Sequence, residues 1–135
     1  MHPDTEYDCE KAFPNAFGQV VVVRYGRPDA HVYPGHGAFG EQHAWQDHGL
    51  GINAAGKILN IAAPKPIAGA TEYFASFKMR GANPIRAFVR TVDREQTEEG
   101  HLDSYNMGLL TGFCKTGSEA GEGYCEPLVN QTLGN

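Results

Sequence analysis

The chain has 135 residues, the usual size of one domain, with 41% apolar residues, enough for a single core. Its 17 Gly and 8 Pro make up about 19% of the chain, against the ordinary ~12%, which excludes a helical bundle and favours short extended segments joined by turns. The net charge of −5 argues against a fold that as a whole binds nucleic acid phosphates or anionic lipid.

Residues 1–18 read as an arm. Tyr7, Phe13 and Phe17 are scattered through it without a period, and Pro3, Pro14 and Gly18 exclude a long helix. Such a segment suits a groove, on its own domain or on a neighbour. The polar, acidic start lacks the basic and apolar regions of a secretory signal, which gives a cytoplasmic or virion location as the expectation. No stretch approaches the ~18 consecutive apolar residues of a membrane span.

The clearest strand is 19–25, where four consecutive valines favour extended backbone buried on both faces. Residues 30–33 read as a second, short strand. The stretch 34–56 is irregular and holds six glycines; within it 41–48 has room for two helical turns stopped by Gly49. Residues 57–63 read as a third strand ended by Pro64 and Pro66. Residues 72–79 and 85–92 form the best hairpin. In its second strand Ile85, Ala87, Val89 and Thr91 share a core face, leaving Arg86, Phe88, Arg90 and Val92 on a mixed basic and aromatic face. Residues 93–100 read as an exposed acidic loop, 105–113 as a sixth strand, and 117–135 as an irregular strap. The expected fold is all-β, a small sandwich or barrel of about six short strands. Its organisation is an arm (1–18), a β-rich domain (19–116) and a strap (117–135).

Cys9, Cys114 and Cys125 make an odd count. With no secretory signal, three reduced thiols are expected; the alternative is a Cys114–Cys125 bridge contributing roughly 2–3 kcal/mol. No CxxC pair supports a zinc knuckle.

His36, His43 and His48, with Glu41 and Asp47 beside them, supply the ligand types of zinc and iron. Were 41–48 helical, His43 and Asp47 would share a face. The spacing matches no HxH or HExxH pattern. The expectation is therefore no cofactor, with a transition metal on these histidines as the alternative. Lys78, Arg80, Arg86, Arg90 and Arg94 form a basic stripe near Phe74 and Phe88. A single-stranded nucleic acid would suit such a face, but the overall negative charge favours pairing with carboxylates. The acidic residues from Asp93 to Asp103 lack an EF-hand pattern. No nucleophile elbow, P-loop or dinucleotide fingerprint is present.

Without a catalytic motif the chain is expected to be non-enzymatic. The leading expectation is a structural or assembly protein, such as a subunit, cement or decoration protein of a viral capsid or other large particle. Its partners would be copies of itself or other subunits, and neither a membrane nor nucleic acid. Tyr7, Phe13 and Phe17 would anchor the arm, and Arg86 and Arg90 would make polar contacts. The alternatives are a small metal-dependent enzyme or metal-binding domain on His36, His43 and His48, and a carbohydrate-binding β-sandwich with Trp45 or Tyr73 as stacking platform.

Overall fold

A computed structural model describes residues 8–32, 37–78, 84–92, 107–116, 123–125 and 127–134. These residues are mostly strands, in two antiparallel sheets, with few helices. Strands β1 (Cys9–Pro14) and β2 (Val20–Arg24) form one sheet. Strands β3 (Lys65–Ile67), β4 (Ala70–Lys78), β5 (Pro84–Val92) and β6 (Gly108–Thr116) form the other, in that order. The helices are α1 (Gly40–Gln42), which runs into a π-helical turn (His43–Asp47), then α2 (Ile52–Ile61) and α3 (Pro127–Gly134). No helix among the described residues is long and apolar enough to cross a membrane.

The valine run is β2, and Val21 and Val23 enter the main core. The hairpin read from 72–92 is the β4–β5 pair, in register from Thr71 opposite Thr91 to Lys78 opposite Pro84. Its alternation places Ile85, Ala87 and Val89 in the core with Tyr73 of β4 and Leu109 of β6. Against that face α2 lays Ala54, Ala55, Ile58 and Leu59, and α3 adds Val129. Fully burying an Ile, Leu or Val side chain contributes roughly 1.5–3 kcal/mol, so this shared core is what joins the helices to both sheets. Gly108 brings β2 onto β6: its φ is +75°, and a Cβ there would lie 2.1 Å from the Val22 carbonyl oxygen.

Five expectations are corrected. Residues 57–63 are no strand; 57–61 are the second half of α2, whose buried Ala54, Ala55, Ile58 and Leu59 recur at helical spacing, and Ala62 caps it. Residues 30–33, read as a second strand, are no strand where described: 30 and 31 belong to a 3-10 turn (Asp29–His31) followed by Val32, all exposed, the bridge nearby is Arg27 to Phe39, and Tyr33 lies outside the described residues. Residues 9–14, read as part of an arm without regular structure, are the strand β1, which pairs with β2, and Phe13 packs against the main core over Gly56. The strap is not wholly irregular, since Pro127–Gly134 is helical, with Val129 in the core and Leu133 against it. Finally, Cys114 and Cys125 are joined, with Cα atoms 5.0 Å apart. Backbone bonds in both directions between Cys114 and Gly123 draw the segment 123–125 alongside β6 and bring the thiols together. The acidic loop at 93–100 lies outside the described residues.

Candidate functional site

Three places carry chemistry: the outer face of the large sheet, the His43 turn, and the two ends of the chain where they meet the body.

On the outer face, Phe74, Phe88 and Phe113 come from three neighbouring strands and stack in a row, with ring centroids 5.6 and 5.1 Å apart. Register puts them opposite one another. Arg86 and Arg90 of the basic stripe lie on this row, together with Lys115, which the sequence reading did not include. Arg90 stands over Phe113 at 4.8 Å, Lys115 over Phe88 at 5.1 Å and Arg86 over Phe88 at 5.7 Å. Arg90 Nε also donates to Glu72 Oε2 at 2.8 Å, directly across the β4–β5 ladder. The stripe thus has carboxylate and aromatic partners within its own domain. The Lys78 side chain, Arg80 and Arg94 lie outside what is described.

The expected helix at 41–48 exists, with its second half wound as a π turn, a feature common at functional sites. His43 and Asp47 share a face as predicted, with Nδ1 2.5 Å from Asp47 Oδ2. A carboxylate only accepts, so Nδ1 carries the proton. The Asp29 backbone N–H donates to the same carboxylate at 2.7 Å, and Asp29 Oδ1 lies 3.9 Å from His43 Nδ1. Asp29, which the sequence did not single out, completes a His–Asp–Asp group whose ligand atoms all lie within 4.8 Å of one another. His43 also lines a cleft of about 350 Å³ with Arg90, Thr111 and the β3–β4 turn at Ala68 and Gly69. His48 is buried; its ring meets those of His43 at 4.9 Å and Phe113 at 6.0 Å, a packing role. His36 lies outside the described residues. The three histidines are therefore not brought together as a described triad.

Trp45 leaves the same π turn on the exposed side and is 51% exposed. Gly49 follows with φ +69°, donating its N–H to the Trp45 carbonyl at 2.9 Å. Tyr124, 64% exposed, lays its ring on Gly49, where a Cβ would come within 2.5 Å of the ring. Asn130 of α3 fastens this region: its Oδ1 accepts from Gly51 N at 2.7 Å and its Nδ2 donates to Gly49 O at 2.8 Å. Two clefts result, of about 330 and 200 Å³, sharing Trp45 and Asn130. The larger also holds Glu41 and Asn53; the smaller holds Tyr124 and Gln131. Burial, then repulsion from Glu10, raises the Glu41 carboxyl above its ordinary range, and Lys11 partly offsets this. Tyr73, the other platform expected from sequence, is buried.

At the N-terminal end, the turn between β1 and β2 is built around Asn15. Its Oδ1 accepts from the N–H groups of Phe17 and Gln19, both at 2.9 Å, and its Nδ2 donates to Gln19 Oε1 and Tyr73 OH. Ala16 N–H donates to Leu59 O, seating the turn on the end of α2. Phe17 and Val20 nonetheless stand 72% and 61% exposed. Tyr7 lies outside the described residues.

No protein-family model matches this chain, and neither a curated protein nor a solved structure does.

Proposed function

We propose that the chain is a non-enzymatic assembly protein that grips copies of itself through the β1–β2 turn, as a subunit or decoration protein of a larger particle such as a virion. One observation carries this reading. Four hydrogen bonds on the Asn15 side chain and three through the Asn15 and Ala16 backbone fix a turn whose most prominent side chains, Phe17 and Val20, are apolar and stand in water. A turn needed only to reverse the chain has no use for them. Among the described residues β1 pairs with β2 alone, so its other edge offers backbone groups to a neighbour. Within this reading the body is sandwich-like, since Val21 and Val23 of the small sheet share a core with Tyr73 and Val89 of the large one.

Sedimentation velocity across a concentration series tests it. Burying Phe17 and Val20 contributes about 2 kcal/mol each, so Phe17→Ser with Val20→Thr weakens association roughly a thousandfold while leaving the unfolding midpoint of the dilute monomer unchanged. A chain that stays monomeric to about 100 μM refutes self-association.

A second reading, a metal-binding domain, is favoured by the Asp29, His43 and Asp47 group. A transition metal there would displace the proton that His43 shares with Asp47. Metal analysis after metal-replete preparation decides it: near one equivalent that falls in His43→Ala supports this reading, and less than about a tenth of an equivalent removes it.

A further inference from the structure

The clefts around Trp45 lie apart from the Asn15 turn and have a composition of their own. Two aromatic rings stand open to solvent, carried on positions that do not yield. Trp45 is on the π turn, tied back by Gly49 and by Leu50, whose N–H donates to Ala44 O. Tyr124 is next to the bridged Cys125, whose own N–H donates to His48 O at 2.6 Å. Around the rings are amide side chains: Asn53, Asn130 and Gln131. Lys11 Nζ holds Asn53 by its Oδ1 at 2.8 Å, which turns the amide so that its NH₂ remains to donate. Among the described residues Glu41 is the one carboxylate lining either cleft and no Lys, Arg or His lines them, but the Lys11 ammonium stands at the edge of the larger cleft, on Asn53 and acting on Glu41.

These features select a class of ligand. The one cation at the edge, Lys11, is engaged with Asn53 and offset by the Glu41 carboxylate, which disfavours phosphate, sulfate and other anionic ligands. Flat exposed rings bind an apolar face, and amides bind hydroxyls in plane with two donors and an acceptor. A ligand with an apolar C–H face and a rim of hydroxyls satisfies both, and a neutral sugar ring is built that way. Two adjoining clefts with one ring shared between them suit neighbouring residues of one chain.

We propose that the Trp45–Tyr124 surface is a binding site for a neutral oligosaccharide, with sugar rings stacked on Trp45 and Tyr124 and hydroxyls held by Asn53, Gln131 and Glu41. Asn130 is a positioning residue, its amide spent on Gly49 and Gly51.

Trp45 is the one tryptophan of the chain, so its emission reports on the site directly. The full chain is titrated with the hexasaccharides of β-1,4-glucose, β-1,4-N-acetylglucosamine, α-1,4-glucose and β-1,4-mannose. The proposal expects a saturable blue shift with at least one of them at millimolar concentration or below. Tyr124→Ala, with Trp45 still present as reporter, weakens that binding roughly tenfold, and Asn53→Ala weakens it several-fold. Phe17→Ser leaves it unchanged. Calorimetry on Trp45→Ala, folded by circular dichroism, shows no heat of binding. The absence of a saturable response to all four sugars at about 10 mM overturns the proposal, as does binding that survives both Tyr124→Ala and Trp45→Ala.

Discussion

Gly56→Ala has a sign that depends on whether β1 belongs to this domain's own core. Gly56 is buried in the middle of α2, where alanine is favoured over glycine by about 1 kcal/mol. A Cβ there would lie 2.4 Å from both Cδ1 and Cε1 of Phe13 and 2.7 Å from Cζ. Carbon atoms in good contact sit about 3.5–4.0 Å apart, so the ring must move by about 1 Å or more. Phe13 is held in β1 opposite Val21 and cannot slide along the helix without disturbing that pair. Overpacking of this kind costs about 1–3 kcal/mol, more than the helix gains. The net effect is a loss of about 1 kcal/mol. In a Phe13→Ala background the obstruction is gone, and the same Gly56→Ala stabilises by about 1 kcal/mol. The coupling between the two sites is then about 2 kcal/mol, within the range of residues in direct contact.

Urea unfolding followed by far-ultraviolet circular dichroism gives all four corners of this cycle, and thermal midpoints give a second reading, at about 4 °C for each kcal/mol in a chain of this size. If Gly56→Ala stabilises equally with and without Phe13, the ring does not lie on α2. The N-terminal segment would then be an arm available to neighbours, the second of the two placements the sequence allows.

Two further outcomes follow from the same structure. Replacing Cys114 and Cys125 together by serine releases a loop closed over a separation of 11 residues, worth about 3 kcal/mol by loop-closure entropy; a loss under about 1 kcal/mol in urea unfolding contradicts that accounting. The raised pKa of Glu41 means that the folded state holds its proton more tightly than the unfolded chain, so its contribution is fully present below the ordinary glutamate range and is lost as pH rises through the folded value. Glu41→Gln is therefore more stable than the parent at pH 7, the difference closing toward pH 4, and an unchanged thermal midpoint at pH 7 refutes the assignment.

What was legible in the sequence was alternation and β-branching. The valine run, the β4–β5 hairpin and the Ile85–Ala87–Val89 face of β5 follow from side-chain period, whereas the opposite face, which carries Arg86 and Arg90, also buries Phe88 and, past the register shift at Arg90, packs Val92 against Phe39 and Met107. The pairing of His43 with Asp47 followed from four-residue spacing, which survives the change from α to π winding. Asp29 could not be found this way: it reaches the His43 turn from 14 positions upstream, through a fold contact with no sequence period. The α2 helix was missed because its start, Gly51 to Gly56, resembles the loop before it, and its apolar end resembles a short strand. Read from Ile52, the small residues Ala54 and Ala55 supply the helical stripe that Ile58 and Leu59 continue. The disulfide was disfavoured on a compartment argument, which says nothing of the backbone pairing that places Cys125 against β6.

In the sequence Gly49 reads as a helix stop and Gly51 and Gly56 as part of an irregular stretch, and their neighbours give them a further meaning. Gly49 faces the Tyr124 ring, Gly51 faces the Asn130 amide and Gly56 faces the Phe13 ring. Each faces a side chain from near one end of the chain, at a distance that excludes or crowds a Cβ. Glycine density here marks the place where both ends of the described fold close onto its middle. That convergence limits the assembly reading and sharpens it. Segments packed this tightly on their own domain cannot also wrap a neighbour with the side chains that close the seam, so Phe13 of β1 and Asn130 of α3 are consumed in the fold. What remains for contact is what the convergence pushes outward: the Phe17–Val20 turn at one end of α2, and Trp45 with Tyr124 beside its start. Loss of either surface should then leave the other's binding intact, because neither is needed to hold the glycine seam closed.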